Sequence, residues 1–554
     1  MKTKQFKFWF TLLIFLGNQN LFSQTSDWLW AKSFGGINSE FCTRLKGDNN
    51  GNLYMIGVSR SDSITFDTIT LTNNTSNQSF IVKFNSLGST EWVKKIPPQC
   101  SITSIALDLN GDLIVVGTFY NYNPTFDTIT LVNQGGGDIF IAKYNSSGNL
   151  LWAKSAGTFD HEETTEISAD NNGNIFITGN FTGHSFPIGG STLINSGAGG
   201  TWEFFVAMYD MNGNPIWATA AGGLADDRSK SISVNSFGEV YITGSFRSQS
   251  ITLQGETLTN TSLESDFFVA KYSTSNGSLV WAKGALGNDI DVGYSITTDA
   301  MGNAIICGEY YQAPITFGSI TLPCNGAADV FLVKFDRSGN VVWARGFGGT
   351  SSEFPGHLFN DLNGNIWITG GFYSSSINFG NNIITNPFPG SENAYVLKFN
   401  SSNGTITWAD NIGGIDDDYG SSASSDIYGN IFVAGDFNSY TINIDTINLY
   451  NAGMAATSDL FLAKLSATID IKEEINSENS FSIFPNPNDG NIILQYSNEM
   501  VDGLICIWNL LGEKVYFKNL DSYENRINCK LNKGMYLIQL IKGNQIFTRK
   551  MLID

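Results

Sequence analysis

The sequence predicts an all-β chain: a seven-bladed β-propeller closed by its own N-terminal strand, followed by a small C-terminal β-sandwich. Three observations carry this expectation. A strand–turn–strand phrase recurs, as "DNNGNLYMIG" at 48–57, "DLNGDLIVVG" at 108–117, "DNNGNIFITG" at 170–179 and "DLNGNIWITG" at 361–370. Its turn glycines, Gly51, Gly111, Gly173, Gly238, Gly302, Gly364 and Gly429, are spaced 60 to 65 residues apart, the signature of a repeat architecture. The last copy ends after "DLFLAKLSA" without its final strand, while a lone strand of that missing type, "DWLWAKS" at 27–33, opens the chain.

Each repeat resolves into four strands. The first is of the "TTEISAD" type and the second of the "NIFITGNF" type, joined by a turn in which Asp folds onto the backbone and Gly takes positive φ. The third is "DIFIAKY" and the fourth "LLWAK". The second and third are linked by an element such as "SITFDTITL". All are rich in β-branched and aromatic residues, and no helical period persists. One such sheet cannot bury both faces alone, and radial stacking of copies does so. The offset N-terminal strand then completes the seventh sheet. The turn phrase resembles the SBBP-type β-propeller repeat, over residues 27–467. That family implies a fold and no single activity.

The flanking segments read differently. Residues 1–24 have three lysines, then an apolar run from Phe8 to Leu16 too short to span a bilayer, and small Ser23. This is the pattern of a signal peptide cleaved near Ser23 or Gln24. The polar stretch 468–480 reads as a linker. Residues 481–554 contain short alternating strands separated by turns. This module resembles the type A sorting domain of the type IX secretion system of Bacteroidetes, at Pro485, Asn486, Pro487 and Gly490, at Asn509 and Gly512, at Gly534, Met535 and Tyr536, and at Lys550. The resemblance implies the type IX machinery as a partner, passage through the periplasm, and release or attachment at the cell surface.

Composition narrows the function. The net charge is −20, and about −23 once the three N-terminal lysines are removed. Nucleic acid and anionic membranes are therefore poor partners. No later segment is long and apolar enough for a membrane helix. The motifs H-E-x-x-H, G-x-S-x-G, the P-loop and C-x-x-C do not occur, and His161, His184 and His357 fall at unrelated places in their repeats. The "DNNGN" turns lack the bidentate Glu of an EF-hand and read as structure. The recurring tryptophan (Trp30, Trp92, Trp152, Trp217, Trp281, Trp343, Trp408) reads as packing between sheets rather than a glycan platform, with the following Lys or Arg guarding an outer edge. Six cysteines in an exported chain permit disulfides, with Cys307–Cys324 and Cys506–Cys529 as candidate pairs. Thr68, Thr128 and Thr446, in "DTI" triplets, resemble O-glycosylation acceptors of Bacteroidetes.

Acidic residues recur where the fourth strand hands over to the next first strand. They are Glu40, Glu162 with Glu163, Asp226 with Asp227, Asp289 with Asp291, Glu353, and Asp416, Asp417 with Asp418. In a propeller these connections all emerge on one face, opposite the "DNNGN" turns. Two readings stand side by side. Each acid caps its own turn, or the acids gather at one mouth of the axial channel and hold calcium or a cationic ligand. The function this supports is a secreted or cell-surface binding or adhesion scaffold for a glycan or protein ligand. The alternatives are a polysaccharide-degrading enzyme using carboxylates on one face, and a structural surface-layer component.

Overall fold

The structure, a computed structural model, describes residues 28–466 apart from 74, 189, 198, 261, 263, 362, 380–381, 427–428 and 454–456, together with most of the strands of 482–553. The chain divides into two compact units, Met1–Ala467 and Thr468–Asp554. Every regular element among the described residues is a β-strand. The signal-peptide and linker segments lie outside the described residues, so the expectations placed on them gain no structural account.

The first unit contains seven four-stranded antiparallel sheets among its described residues. The first sheet is built from Glu40–Gly47, Leu53–Ser59, Gln78–Phe84 and Thr90–Lys95, paired in that order. The next five repeat the same meander, starting at Cys100, Glu162, Asp227, Asp291 and Glu353. The seventh takes three strands from Asp418–Ser425, Ile431–Phe437 and Asp459–Leu465, and its fourth from Trp28–Phe34. That N-terminal strand runs antiparallel to Asp459–Leu465, with Ala31 opposite Ala463 and Phe34 opposite Leu460. The first strands of successive sheets lie beside one another, and that of the seventh lies beside that of the first. The arrangement is propeller-like.

Why these residues make these sheets is visible in burial. Second and third strands are buried on both faces, as in Leu113–Tyr120 and Gly137–Tyr144, so they read as continuous apolar runs rather than alternating ones. Apolar clusters form between neighbouring sheets. Phe204 and Phe268, from the third and fourth sheets, stack at 4.7 Å. Each recurring tryptophan from Trp30 to Trp343 packs on the turn glycine before the fourth strand of the following sheet, Trp30 on Gly88 and Trp217 on Gly277. This is the packing role expected of it. The lysine that follows does something else than guard an edge: Lys32 and Lys94 reach Asp67 and Asp127 in the small hairpin of the following sheet, at 2.8 and 3.1 Å. Thr68, Thr128 and Thr446 sit exposed beside these hairpin tips.

The "DNNGN" phrase forms the turn between first and second strands. Asp170 Oδ1 accepts the N–H groups of Asn172 and Asn174, both at 2.8 Å, and Gly173 takes φ +80°. Asp48, Asp108, Asp299 and Asp361 do the same. Some of these acids also hold a buried lysine from the third strand, as Lys143 to Asp108 and Lys334 to Asp299, both 2.7 Å.

All six cysteines are free thiols, against the expected pairings. Cys307 faces the core shared with the sixth sheet, whereas Cys324 packs on the core toward the fourth. They are on opposite sides of one sheet and cannot meet. Cys529 instead directs its thiol at the Gly490 carbonyl, 3.3 Å away.

The second unit has a three-stranded sheet and a four-stranded sheet. Leu494, Ile507 and Ile538 are buried in its core. Of the motif residues, Gly490 takes φ +93° and Tyr536 is buried, and Gly534 and Lys550 lie in paired strands. Pro485, Asn486, Pro487, Asn509 and Gly512 lie outside the described residues.

Candidate functional site

Each first strand is interrupted by a one-residue bulge at the same place. In the first sheet Cys42 pairs with Gly57 and Arg44 with Ile56, leaving Thr43 unpaired between them. The same offset leaves Thr103, Thr165, Lys230 and Tyr294 unpaired in the next four sheets. In the last two it falls across Gly356–His357 and Gly420–Ser421. A bulge turns the local carbonyl and re-aims a side chain. The carbonyl two residues before each bulged residue explains a glycine that every copy keeps. A Cβ on Gly57 would lie 2.4 Å from the Phe41 oxygen, on Gly179 2.0 Å from that of Glu163, and on Gly244 2.0 Å from that of Arg228. Gly117, Gly308, Gly370 and Gly435 stand in the same relation.

The bulged residues line one cavity of about 500 Å³ to which all seven first strands contribute. Its wall includes Thr43, Thr103, Thr165, Lys230, Tyr294 and Ser421, with Arg44, Glu163 and Tyr419 beside them. Arg228 Nη1 stands 3.2 Å from Glu163, and Arg44 Nε 3.4 Å from Glu166. Arg44 Nε is nonetheless buried without a well-directed hydrogen-bond acceptor. Lys230 has no ion pair within 4 Å among the described residues and lies 5.7 Å over the Tyr294 ring. Burial, then the charge of Arg228, holds its ammonium below the usual lysine range. Tyr294 and Tyr311 both donate to Glu309, at 2.9 and 3.2 Å, and burial raises that carboxyl. Burial likewise lifts Asp436 to about 7. His357 is pushed well below its ordinary value, first by burial and then by Arg44 and Lys46.

The acidic candidates separate into two sets. Glu40, Glu162, Asp227, Asp291 and Glu353, with Asp418, are buried at the start of the first strands. Most of them cap their own turns. Glu40 accepts from Gly36 N–H, Asp227 from Gly223, Arg247 and Ser248 N–H, Glu353 from Gly349 N–H and Asp418 from Gly414 N–H. Asp226, Asp416 and Asp417 are exposed and Asp289 is partly so; Asp226 and Asp417 accept from the backbone of Trp202 and Glu392. Among the described residues no group of three or more acidic, His or Cys side chains converges as a metal site. The hydrogen bonds of these acids run mainly to backbone of their own turns.

Those buried acids meet a second set that sequence reasoning missed, at the start of the preceding sheet's third strand. Asp291 N–H bonds to the carbonyl just before Asp266, Asp227 N–H to that before Glu203, and Glu40 N–H to that before Asp459, at 2.7–2.8 Å. Asp138 and Glu162 come together through a parallel bridge between Gly137 and His161. Five junctions thus pair two acids: Asp138–Glu162, Glu203–Asp227, Asp266–Asp291, Asp329–Glu353 and Asp459–Glu40. Burial, then the partner's charge, pushes Asp291 to about 8; burial, with a smaller contribution from the partner, pushes Glu162 to about 7 and Asp459 and Glu203 to about 6. Buried oxygens of Asp138, Glu203, Asp291 and Asp459 have no hydrogen-bond donor. A neighbouring carboxyl and burial both disfavour the ionised form, the direction in which these groups are shifted. The signal for this set was the acid opening "DIFIAKY", "DFFVAKY", "DVFLVKF" and "DLFLAKL".

Residues 482–554 match the secretion system C-terminal sorting domain. With it the chain carries a type IX sorting tail, which indicates export to the cell surface or secretion and interaction with that machinery. No helix among the described residues is long and apolar enough to cross a membrane. An uncharacterized WD repeat-containing protein, L264, of Acanthamoeba polyphaga mimivirus is 23% identical over 69% of this chain and 34% of its own. The regulatory protein FlaEY of Caulobacter vibrioides is 26% identical over 32% of this chain and 19% of its own. The chain thus spans about a third or less of the curated relatives it matches. A solved structure of a protein of unknown function from Dyadobacter fermentans aligns over 79% of this chain and 98% of its own, at 8% identity and a TM-score of 0.38.

Proposed function

We propose that this is an exported binding protein: a seven-bladed propeller of residues 27–467, closed by the strand Trp28–Phe34, that takes a ligand into the cavity on its axis. Residues 1–24 serve as the signal peptide, and 468–480 link the propeller to the sorting domain. The observation that carries the reading is the ring of bulges. Seven copies keep the same backbone irregularity and the glycine beside it, yet the residue at the bulge is threonine in three copies and Lys, Tyr, Gly and Ser in the other four. A purely structural ring has no need of that diversity. The cavity's size is in the range of small-molecule sites. A hydrolytic role is less well supported, since Glu163 and Glu166 are matched by Arg228 and Arg44 and Glu309 is engaged by two phenols.

The test is a glycan array probed with the full chain and with Thr103→Trp and Ser421→Trp, each of which fills the cavity. Binding that disappears in both variants, with unfolding midpoints unchanged, supports the axial site. Binding that survives both places the ligand elsewhere and overturns it.

A further inference from the structure

The ligand's chemistry can be read from the cavity wall, resting on the axial-site reading above. The chain as a whole carries −20, yet its axis collects cations. Arg44, Arg228 and Lys230 all face or border the cavity, and water-exposed Lys46 follows two residues beyond Arg44. Two of the facing carboxylates are taken up in ion pairs, Glu163 with Arg228 and Glu166 with Arg44. The other two acids are engaged, Glu309 by the Tyr294 and Tyr311 hydroxyls and Asp436 by Ser421, and burial raises both. What is left over is the Lys230 ammonium, with no acid within ion-pair distance among the described residues; Arg44, paired with Glu166, adds a buried Nε–H without a hydrogen-bond acceptor.

The rest of the wall is hydroxylic and aromatic. Thr43, Thr103, Thr165 and Ser421 line it with hydroxyls; those of Thr103, Thr165 and Ser421 donate to Val116 O, Thr178 O and Asp436 and keep lone pairs that can accept from a ligand. Tyr294 and Tyr419 supply flat faces with a polar tip. Hydroxyls, ring faces and a patch of uncompensated cation together match a polyhydroxylated ring bearing one anionic group. Glu163, Glu166 and Glu309 remain near enough to make a second negative charge unwelcome. A monoanionic carboxylate therefore fits better than a dianionic phosphate.

We propose that the axial cavity binds an acidic sugar, a uronate unit whose carboxylate is received by Lys230 and Arg44 while its hydroxyls meet the threonine and serine side of the ring.

The experiment is calorimetric titration of the full chain with galacturonate, galactose and galactose 6-phosphate, repeated on Lys230→Met. Lys230 makes no ion pair within 4 Å among the described residues, so this variant should fold; its unfolding midpoint is recorded alongside. The expected result is galacturonate binding at least tenfold tighter than either other sugar, and at least tenfold weaker in Lys230→Met. Equal affinity for galactose and galacturonate, lost in Thr103→Trp, would overturn the acidic-sugar assignment while leaving an axial site. Tighter binding of the phosphate would overturn the choice of carboxylate. Galacturonate binding untouched by both Lys230→Met and Thr103→Trp would overturn the assignment together with the axial site. Absence of binding by all three sugars would overturn the assignment, and the glycan array then judges the axial site alone.

Discussion

Gly57 and Thr43 lie side by side in the ladder between the first two strands of one sheet, and the repeat treats them in opposite ways. At the position of Gly57 all seven copies have glycine: Gly57, Gly117, Gly179, Gly244, Gly308, Gly370 and Gly435. At the position of Thr43 they have Thr43, Thr103, Thr165, Lys230, Tyr294, Gly356 and Ser421. The first position receives a backbone carbonyl with no room for a Cβ. The second projects into a cavity where shape is not dictated by packing. In a repeat protein, agreement among copies marks what the fold demands, and disagreement at a geometrically fixed position marks what the fold leaves open for other use.

The largest effect should come from removing the N-terminal strand that completes the seventh sheet. Deleting Trp28–Phe34 removes the partner strand of Asp459–Leu465 and two buried side chains, Trp28 and Phe34. It exposes the third strand of the seventh sheet, which is buried along its whole length, as an unpaired edge. The expected outcome is loss of cooperative unfolding and aggregation, followed by calorimetry and light scattering. A deletion variant that unfolds cooperatively at the parent temperature would refute closure by this strand.

Next comes pH. Carboxyls in an unfolded chain titrate near 4, whereas Glu162, Glu203, Asp291, Asp418 and Asp459 hold their protons to about 7, 6, 8, 7 and 6. Their folded values are raised, so between about pH 4 and 8 the native state binds more protons than the unfolded chain. The stability they contribute is complete below pH 4 and is lost as pH rises through 6 to 8. His357, held low, acts in the opposite direction below about pH 6.5, one group against these five and against Asp436 and Glu392, raised to about 7 and about 8. Each tenfold change in proton affinity corresponds to about 1.4 kcal/mol. The unfolding midpoint should therefore fall between pH 5 and pH 8. Asp291→Asn, which removes the carboxyl raised furthest of the five, should flatten that fall. A midpoint that rises over this range would show that these carboxyls do not hold their protons in the folded chain.

Much of this was legible in the sequence, and the limit was physical. The sheets, the turns and the displaced strand follow from periodicity, because hydrophobic alternation and Asp–Gly turns are local properties. The packing of Trp217 on Gly277 was anticipated for the same reason: a residue kept at every period belongs to the period. The junction acids were visible as letters but not as pairs. Asp266 and Asp291 meet only through a sheet-to-sheet contact, and sequence spacing does not report which carboxyl faces which. Cys307 and Cys324 failed in the same manner, since nothing local says on which side of a sheet each thiol lies. The bulge was hidden because one unpaired residue does not disturb the alternation enough to be read; its trace was the glycine of "ITG" inside a strand, where glycine marks a close backbone approach.

A smaller effect is expected at that glycine. Gly179→Ala places a methyl 2.0 Å from the Glu163 carbonyl oxygen. The neighbour is backbone, so relief requires moving a strand that also bonds Asn180 and the next sheet through Ser229. Overpacking of this kind costs about 1–3 kcal/mol. Chemical denaturation should show a loss in that range. Gly190→Ala, at a hairpin tip where a Cβ meets nothing within 4 Å and φ is +71°, should cost only about 1 kcal/mol, from backbone conformation alone. Equal losses at both sites would mean that the carbonyl contact is not what keeps the glycine.

The smallest effect is expected beside it, and it decides what the variation means. Thr43 is the unpaired residue of its bulge. Its own carbonyl accepts from Arg44, but no side-chain hydrogen bond of Thr43 is formed among the described residues. Thr43→Val keeps the β-branched shape that suits an extended strand and removes only a hydroxyl facing the cavity. Substitutions away from packed or hydrogen-bonded positions change stability by less than about 0.5 kcal/mol. Thr43→Val should therefore unfold in denaturant with the parent's midpoint and slope. If the ring is a binding surface, the same variant weakens galacturonate through one lost hydroxyl contact, by less than Lys230→Met does. A stability loss above about 1.5 kcal/mol would show the hydroxyl to be part of the fold. The copies would then differ at this position for reasons of local packing, and their disagreement would no longer point to a ligand.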